Sequence, residues 1–203
     1  MNERLGPEAV LLRGFAADAD ARLLAALHAV LEQSPFRHMI TAGGFRMSVA
    51  MTNCGPLGWI TDRSGYRYGA SDPETGERWP AMPAEFLSLA QDAAAHAGFE
   101  GFVPDACLVN QYLPGARLTL HRDSTERDFS SPIVSVSLGL PAVFLFGGLK
   151  RSDRPRRVLV EHGDVAVWGG RDRMRYHGVL ALKAGHHRLL GEQRINLTFR
   201  RAG

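Results

Sequence analysis

From Ala106 to Phe199 the chain reads as eight short strands with no helix between them: Ala106–Leu113, Leu118–His121, Ile133–Leu138, Val143–Phe146, Val158–Val160, Val165–Trp168, Arg175–Val179 and Ile195–Phe199. Turn-forming residues break the runs, at Pro114-Gly115, Ser131-Pro132, Gly147-Gly148, His162-Gly163-Asp164, Gly169-Gly170 and Ala184-Gly185. Eight such strands without intervening helices suggest a two-sheet jelly roll. The expected class is mostly β (α+β): a double-stranded β-helix, or jelly-roll, core over about residues 104–203, preceded by helices. A length of 203 residues suits one compact domain, 1–203.

Upstream the texture changes twice. After a short apolar lead, Ala9–Leu12, the segment Asp18–Leu31 carries Leu23, Leu24, Leu27, Val30 and Leu31 at helical spacing. An Asp stands at its start as a cap and Pro35 closes it. A second helix is expected from Pro83 to about Ala97, with Gly98 as its exit. Between them, residues 36–80 scatter Phe36, Phe45, Trp59, Tyr66, Tyr68 and Trp79 among Gly, Ser, Thr and Arg, with no helical period. Such a stretch is either a set of short strands or a flap, and its aromatics are either minor core or a stacking surface for a flat ligand.

No apolar run approaches the ~18 residues of a membrane span. The first residues, Met-Asn-Glu-Arg-Leu, hold an acid and no long apolar stretch, so a signal peptide is not expected. Cys54 and Cys107 fit no zinc spacing and read as buried free thiols of a cytoplasmic protein. A net charge of +3 is compatible with a polyanionic partner without requiring one.

Within the strand region, His121 and Asp123 stand two apart at a strand end, so both side chains point to one face. An imidazole and a carboxylate aimed together are two thirds of a facial triad for non-haem Fe(II). With 8 His in the chain, one His-x-Asp arises by chance at roughly even odds, so the pair needs support. A third ligand should come from a distant His. His162 sits in a turn, His186 and His187 follow Gly185 in an exposed polar turn, and His38 and His96 are isolated. His177 is the strongest candidate, because a jelly roll returns a late strand beside an early one.

The support comes from Arg194–Arg200, which alternates strictly: Arg194, Asn196, Thr198 and Arg200 on one face, Ile195, Leu197 and Phe199 on the other. An exposed strand gives the same alternation, but this polar face holds two guanidiniums, an amide and a hydroxyl with no Lys or Glu. Guanidinium forks bind carboxylates bidentately, and two of them suit both ends of a short dicarboxylate. Asn110 and Tyr112 repeat the device on another strand. Iron ligands beside a dicarboxylate cradle point to 2-oxoglutarate. A run from Lys150 through Arg151 to Arg157, with five basic residues and one acid, suits phosphate contact near the mouth of a site, or is an ordinary solvated loop.

The wider text then matches a family. Ser34-Pro-Phe-Arg37, Met47-Ser-Val-Ala-Met-Thr-Asn-Cys-Gly55, Pro104-Asp-Ala-Cys107, His121-x-Asp123, Ile133-Val-Ser-Val-Ser-Leu-Gly-Leu-Pro141, Phe146-Gly-Gly-Leu-Lys150, Glu161-His-Gly-Asp164, Val167-Trp-Gly-Gly170, Tyr176-His-Gly178 and Asn196-Leu-Thr-Phe-Arg200 carry it. Over nearly all its length the chain resembles the bacterial AlkB family of Fe(II)/2-oxoglutarate-dependent nucleic-acid dealkylases. The resemblance implies iron on His121, Asp123 and His177. It implies that Arg194, Asn196 and Tyr112 hold the distal carboxylate of 2-oxoglutarate, with Arg200 and Asn110 near its metal-side carboxylate. It makes residues 36–80 a nucleotide-recognition flap, where Trp59, Tyr66 and Met51 line the damaged-base pocket and Trp59 stacks on the base opposite His121. The implied reaction uses Fe(II), 2-oxoglutarate and O2 to demethylate bases such as N1-methyladenine and N3-methylcytosine in DNA or RNA, releasing formaldehyde, succinate and CO2. The substrate is single-stranded or flipped out, and the enzyme is expected to be a monomer. One position departs: two residues after the metal Asp the family's best-known member carries an acid that helps read the base, and here stands Thr125. Two rival readings are a 2-oxoglutarate oxygenase acting on a protein or small molecule, and a jelly-roll binding protein holding Zn2+ or no metal.

Overall fold

The computed structural model describes residues 2–203. Its largest sheet has seven strands: β1 (Glu3–Gly6), β2 (Ala9–Leu12), β3 (Ala50–Cys54), β6 (Ala106–Tyr112), β8 (Ile133–Gly139), β11 (Val165–Trp168) and β13 (Arg194–Arg200), in the order β1-β2-β11-β8-β13-β6-β3. A four-stranded sheet, β10-β9-β12-β7, is formed by β7 (Leu118–His121), β9 (Ala142–Phe146), β10 (Arg156–Val160) and β12 (His177–Val179). A separate hairpin joins β4 (Gly58–Asp62) to β5 (Gly65–Gly69). All strand pairings are antiparallel. This is the expected jelly roll, flanked by helices α1 (Asp20–Gln33) and α2 (Ala84–His96).

Alternation along the strands divides the interior into two cores. On one face of the large sheet, Cys107, Val109, Val134, Val136, Val165, Val167, Ile195, Leu197 and Phe199 pack against Leu23, Leu27 and Val30 of α1 and Phe86, Leu89 and Ala93 of α2. On the other, Leu108, Tyr112, Ile133, Ala166 and Trp168 meet Phe144, Phe146, Val158, Val160 and Val179 of the small sheet. β13 is covered on both faces, so all seven of its residues are buried, polar ones included. The polar face of β13 is therefore not a solvated edge: it lines an internal cleft between the sheets.

The sequence and the structure differ at four places. The apolar lead Ala9–Leu12 is a strand, pairing with β11 and extending the large sheet. The α1 N-cap is Ala19, with no side-chain cap bond, because the expected cap Asp18 lies in a 3-10 turn, Ala17–Ala19; Asp20, the first helical residue, lies 3.4 Å from His162 and near Arg188. His187, expected in an exposed turn, is half-buried and stacks on His162 at 4.4 Å between ring centroids. The strand expected at Arg175–Val179 starts only at His177, because the Tyr176 backbone is committed to Gly147 and Gly148 and the Arg175 amide to Asp172. By contrast α2 begins just after Pro83, and Gly98 leaves it at φ +88, the left-handed exit that favours glycine.

Candidate active site

His121 ends β7 and His177 begins β12, and the two are direct partners across that antiparallel pair. Their rings lie 4.5 Å apart. Gly178 permits this approach: a Cβ there would sit 2.8 Å from the Leu118 carbonyl oxygen. Asp123, two residues past His121, places Oδ1 3.8 Å from His121 Nε2 and Oδ2 3.8 Å from His177 Nε2. One ligand atom from each residue falls within 4.8 Å of the others, and no other such trio occurs among the described residues.

The hydrogen bonds fix which nitrogen faces inward. His121 Nδ1 lies 2.8 Å from the Thr119 carbonyl and His177 Nδ1 3.1 Å from that of Arg175. Each Nδ1 therefore carries the proton and donates it, leaving Nε2 with a bare lone pair. Backbone carbonyls orienting imidazoles in this way are the usual outer support of metal ligands. Burial pushes the His177 pKa down to about 4, keeping it neutral near pH 7. For Asp123, burial would raise the pKa, but the Arg200 guanidinium beside it holds the carboxyl well below the usual carboxylate range. Two lone pairs facing an ionised carboxylate, with no proton between them, repel unless a cation lies among them. This donor set fits Fe(II).

The triad opens into a cavity of about 540 Å³ lined by Asn110, Tyr112, Arg194, Asn196, Thr198 and Arg200 on one side. Trp59, Tyr66, Met51, Thr125 and Arg151 also line it, so the residues expected to hold iron, 2-oxoglutarate and the base share one cavity. Arg194 is 2% exposed; its Nη2 donates to Ser137 Oγ at 2.9 Å, but Nε and Nη1 have no partner. Its guanidinium lies 4.9 Å from the Tyr112 ring. Asn196 donates to Ser135 Oγ and to the Val136 carbonyl, and its Oδ1 accepts from Asn110 and Thr198. A buried cation with two idle donors fits a carboxylate, so these residues suit the distal end of 2-oxoglutarate. At the other end Arg200 donates from Nε to Asp123 Oδ2 at 2.7 Å, beside the triad. Burial works against its charge, but Asp123, Tyr68 and Glu126 together raise its pKa further.

At the mouth, Trp59 and Tyr66 stack on each other with centroids 5.7 Å apart and planes at 22°. Tyr66 is 52% exposed, whereas Met51 lies in β3 opposite Asn110 and is buried in the wall. Of the basic run, Arg151 reaches the cavity and sits over the Tyr176 ring, with Arg122 over the same ring. Arg156 is tied to Glu3 instead. Sequence reasoning missed Glu126, Arg173 and Tyr68. Glu126 is buried, accepts from the Tyr68 hydroxyl at 2.8 Å and lies 3.4 Å from both Arg173 and Arg200. Its position three residues after Asp123 was the only local signal.

The profile of the 2OG-Fe(II) oxygenase superfamily matches residues 8–200. The alpha-ketoglutarate-dependent dioxygenase AlkB of Escherichia coli K12 is 58% identical over 201 residues, spanning 99% of this chain and 93% of that protein. The DNA N(6)-methyladenine demethylase ALKBH1C of Arabidopsis thaliana is 35% identical over 170 residues, 71% of this chain but 37% of its own length. The solved structure of OsALKBH1 superposes with a TM-score of 0.86 at 29% identity, covering 99% of this chain and 100% of that one.

Proposed function

Because the chain belongs to the 2OG-Fe(II) oxygenase superfamily, we propose that this Fe(II)/2-oxoglutarate-dependent dioxygenase oxidatively demethylates N-alkylated bases of DNA or RNA, N1-methyladenine and N3-methylcytosine among them. The observation that carries the reading is one cavity with the His121–Asp123–His177 cluster inside it and the stacked pair Trp59 and Tyr66 at its lip. Relatives whose names specify a nucleic-acid substrate support it.

With Fe(II), 2-oxoglutarate and O2 bound, the site supplies an oxidation that yields succinate and CO2 and hydroxylates the N-methyl carbon, which then leaves as formaldehyde. The protein's own part is binding and orientation. His121, Asp123 and His177 would hold the iron and leave three positions open. Arg194, Tyr112 and Asn196 would take the distal carboxylate of 2-oxoglutarate, and Asn110 and Arg200 would lie near its other end. Trp59 would stack on the base from the face opposite His121, a contact worth about 1–3 kcal/mol. A base paired inside a duplex cannot reach the cluster, so the lesion enters single-stranded or flipped. Arg151 and Arg122, which line the cavity, would meet the flanking phosphates.

Thr125 brings no charge to a cationic methylated base. Its neighbour Glu126 is turned away, its side chain only 1% exposed and committed to Tyr68, Arg173 and Arg200. We therefore assign this chain a weaker preference for cationic over neutral lesions than a site with an acid at that position would have. The buried free thiols Cys54 and Cys107 suit a cytoplasmic protein, and no helix among the described residues is long and apolar enough to cross a membrane.

The deciding experiment incubates a panel of methylated oligonucleotides with enzyme, Fe(II), 2-oxoglutarate and air, and follows methyl loss by mass spectrometry. Demethylation that requires both iron and 2-oxoglutarate is expected. Succinate release without methyl loss from any oligonucleotide would redirect the assignment to a protein or small-molecule substrate.

A further inference from the structure

We propose that Tyr68 is a positioning residue for the base-stacking ring, acting through Glu126 without touching substrate; the inference rests on the dealkylase reading above. In the β4–β5 hairpin Tyr68 is the direct cross-strand partner of Trp59. It is absent from the cavity lining that holds Trp59 and Tyr66. Its side chain lies on the same face of the hairpin as that of Trp59, and its hydroxyl donates to Glu126 Oε1 at 2.8 Å. Burial raises the Tyr68 pKa far above its ordinary value, so the hydroxyl keeps its proton and remains the donor.

Glu126 is a fixed point. Its Oε1 lies 3.4 Å from Arg200 Nε, and its Oε2 lies 3.4 Å from Arg173 Nη2. Arg173, itself 2% exposed, donates to the backbone carbonyls of Asp123 at 3.1 Å and Ser131 at 3.2 Å. Arg200 grips the Asp123 carboxylate. Among the described residues, the Tyr68–Glu126 bond is the one hydrogen bond joining the hairpin to the 121–131 segment. A second anchor is Asn53, which accepts from the Trp59 amide at 2.9 Å and donates to its carbonyl at 3.0 Å. Asn53 thus ties Trp59's own strand to the large sheet, while Tyr68 ties the partner strand to the loop that carries Asp123. Together they set the height and tilt of the Trp59 ring over the triad, and a stacking contact is lost quickly with misalignment.

The test measures the Kd of a single-stranded N1-methyladenine oligonucleotide on the Mn(II)- and 2-oxoglutarate-loaded full chain without O2, then kcat and KM with Fe(II) in air. Tyr68→Phe removes one oxygen and is expected to weaken Kd and raise KM about fivefold to tenfold, with kcat changed by less than about twofold. In a Trp59→Ala background the same substitution should add nothing, because the ring it positions is gone. Glu126→Gln keeps an oxygen for the Tyr68 hydroxyl and should stay within about threefold of the wild-type Kd. A Tyr68→Phe protein with wild-type Kd, or an effect that adds fully to Trp59→Ala, overturns the proposal. Should Tyr68→Phe not fold, Glu126→Leu and Glu126→Gln carry the comparison, and equal losses in both overturn it. A wild-type enzyme that neither binds nor demethylates the oligonucleotide removes the dealkylase reading, and this inference with it.

Discussion

Replacing Arg194 by Met should separate two measurements, stability and affinity for 2-oxoglutarate. This guanidinium is buried with no protein partner at Nε and Nη1, held by Ser137 Oγ at 2.9 Å and the Tyr112 ring at 4.9 Å. Burial lowers its pKa against the pull of Tyr112, a sign that its charge is uncompensated. Methionine keeps the apolar bulk and removes that charge. The lost contact with the ring is worth ~0.5–2 kcal/mol, while replacing a poorly compensated buried charge by a hydrophobe often stabilises by ~1–4 kcal/mol. Unfolding of the ligand-free variant in urea should therefore fall between about 1 kcal/mol below the wild type and about 3.5 kcal/mol above it. Affinity for 2-oxoglutarate should collapse. Each charge-assisted hydrogen bond contributes ~1.5–3 kcal/mol, and two are forfeited, so Kd should rise by about 100-fold or more. Calorimetric titration of 2-oxoglutarate into the Mn(II)-loaded protein reads this directly. A variant destabilised by more than about 2 kcal/mol that still binds 2-oxoglutarate within about threefold would refute the reasoning.

Three further outcomes are expected. Trp59→Ala should raise KM for a methylated oligonucleotide about tenfold or more, from a stacking term of ~1–3 kcal/mol, while succinate release without oligonucleotide persists; an unchanged KM would make Trp59 a packing residue. Thr125→Asp should shift the N1-methyladenine to neutral-lesion kcat/KM ratio about fivefold toward the cation, as one exposed charge contributes ~1 kcal/mol; a fixed ratio removes the electrostatic account of that position. The ligand-free protein should lose stability as pH falls from about 6.5 to about 4. Unfolded His177 takes up a proton at the top of that window and the folded residue only at its foot, so the unfolded state binds more protons within it. The loss is up to about 3 kcal/mol. Urea midpoints across this range should show it in the wild type and not in His177→Gln, and a flat wild-type profile would contradict the burial of that imidazole.

Legibility in the sequence followed the range of each interaction. β13 was readable because a period of two survives burial on both faces: Ile195, Leu197 and Phe199 mark one core, and Arg194, Asn196, Thr198 and Arg200 the other. His121 and Asp123 were readable for the same reason. The strands β1 and β2 were not read: they lie apart from the later strand run, and β2 joins the sheet by pairing with β11 more than 150 residues downstream. The expected Asp cap on α1 failed because a 3-10 turn, Ala17–Ala19, takes in Asp18 and leaves Ala19 at the cap position. Tyr68, Glu126 and Arg173 lie on three separated segments with no shared local pattern. Each alone looks like an ordinary tyrosine, acid or base, and only their buried meeting gives them a role.

That meeting bears on how the site fills. Asp123 and Glu126 offset Arg173 and Arg200, leaving Arg194 as the one buried cation in the cleft without an anionic partner. A ferrous ion alone would add two positive charges to a cleft already carrying one in excess, and in a poorly solvated interior that excess is costly. A dianion alone would find idle donors on Arg194, but would face the Asp123 carboxylate at its other end. Taken together, the cation and the dianion leave the net charge where it began. The residues of this chain therefore favour joint occupancy, with each ligand tightening the other through the charges of Asp123, Arg200 and Arg194.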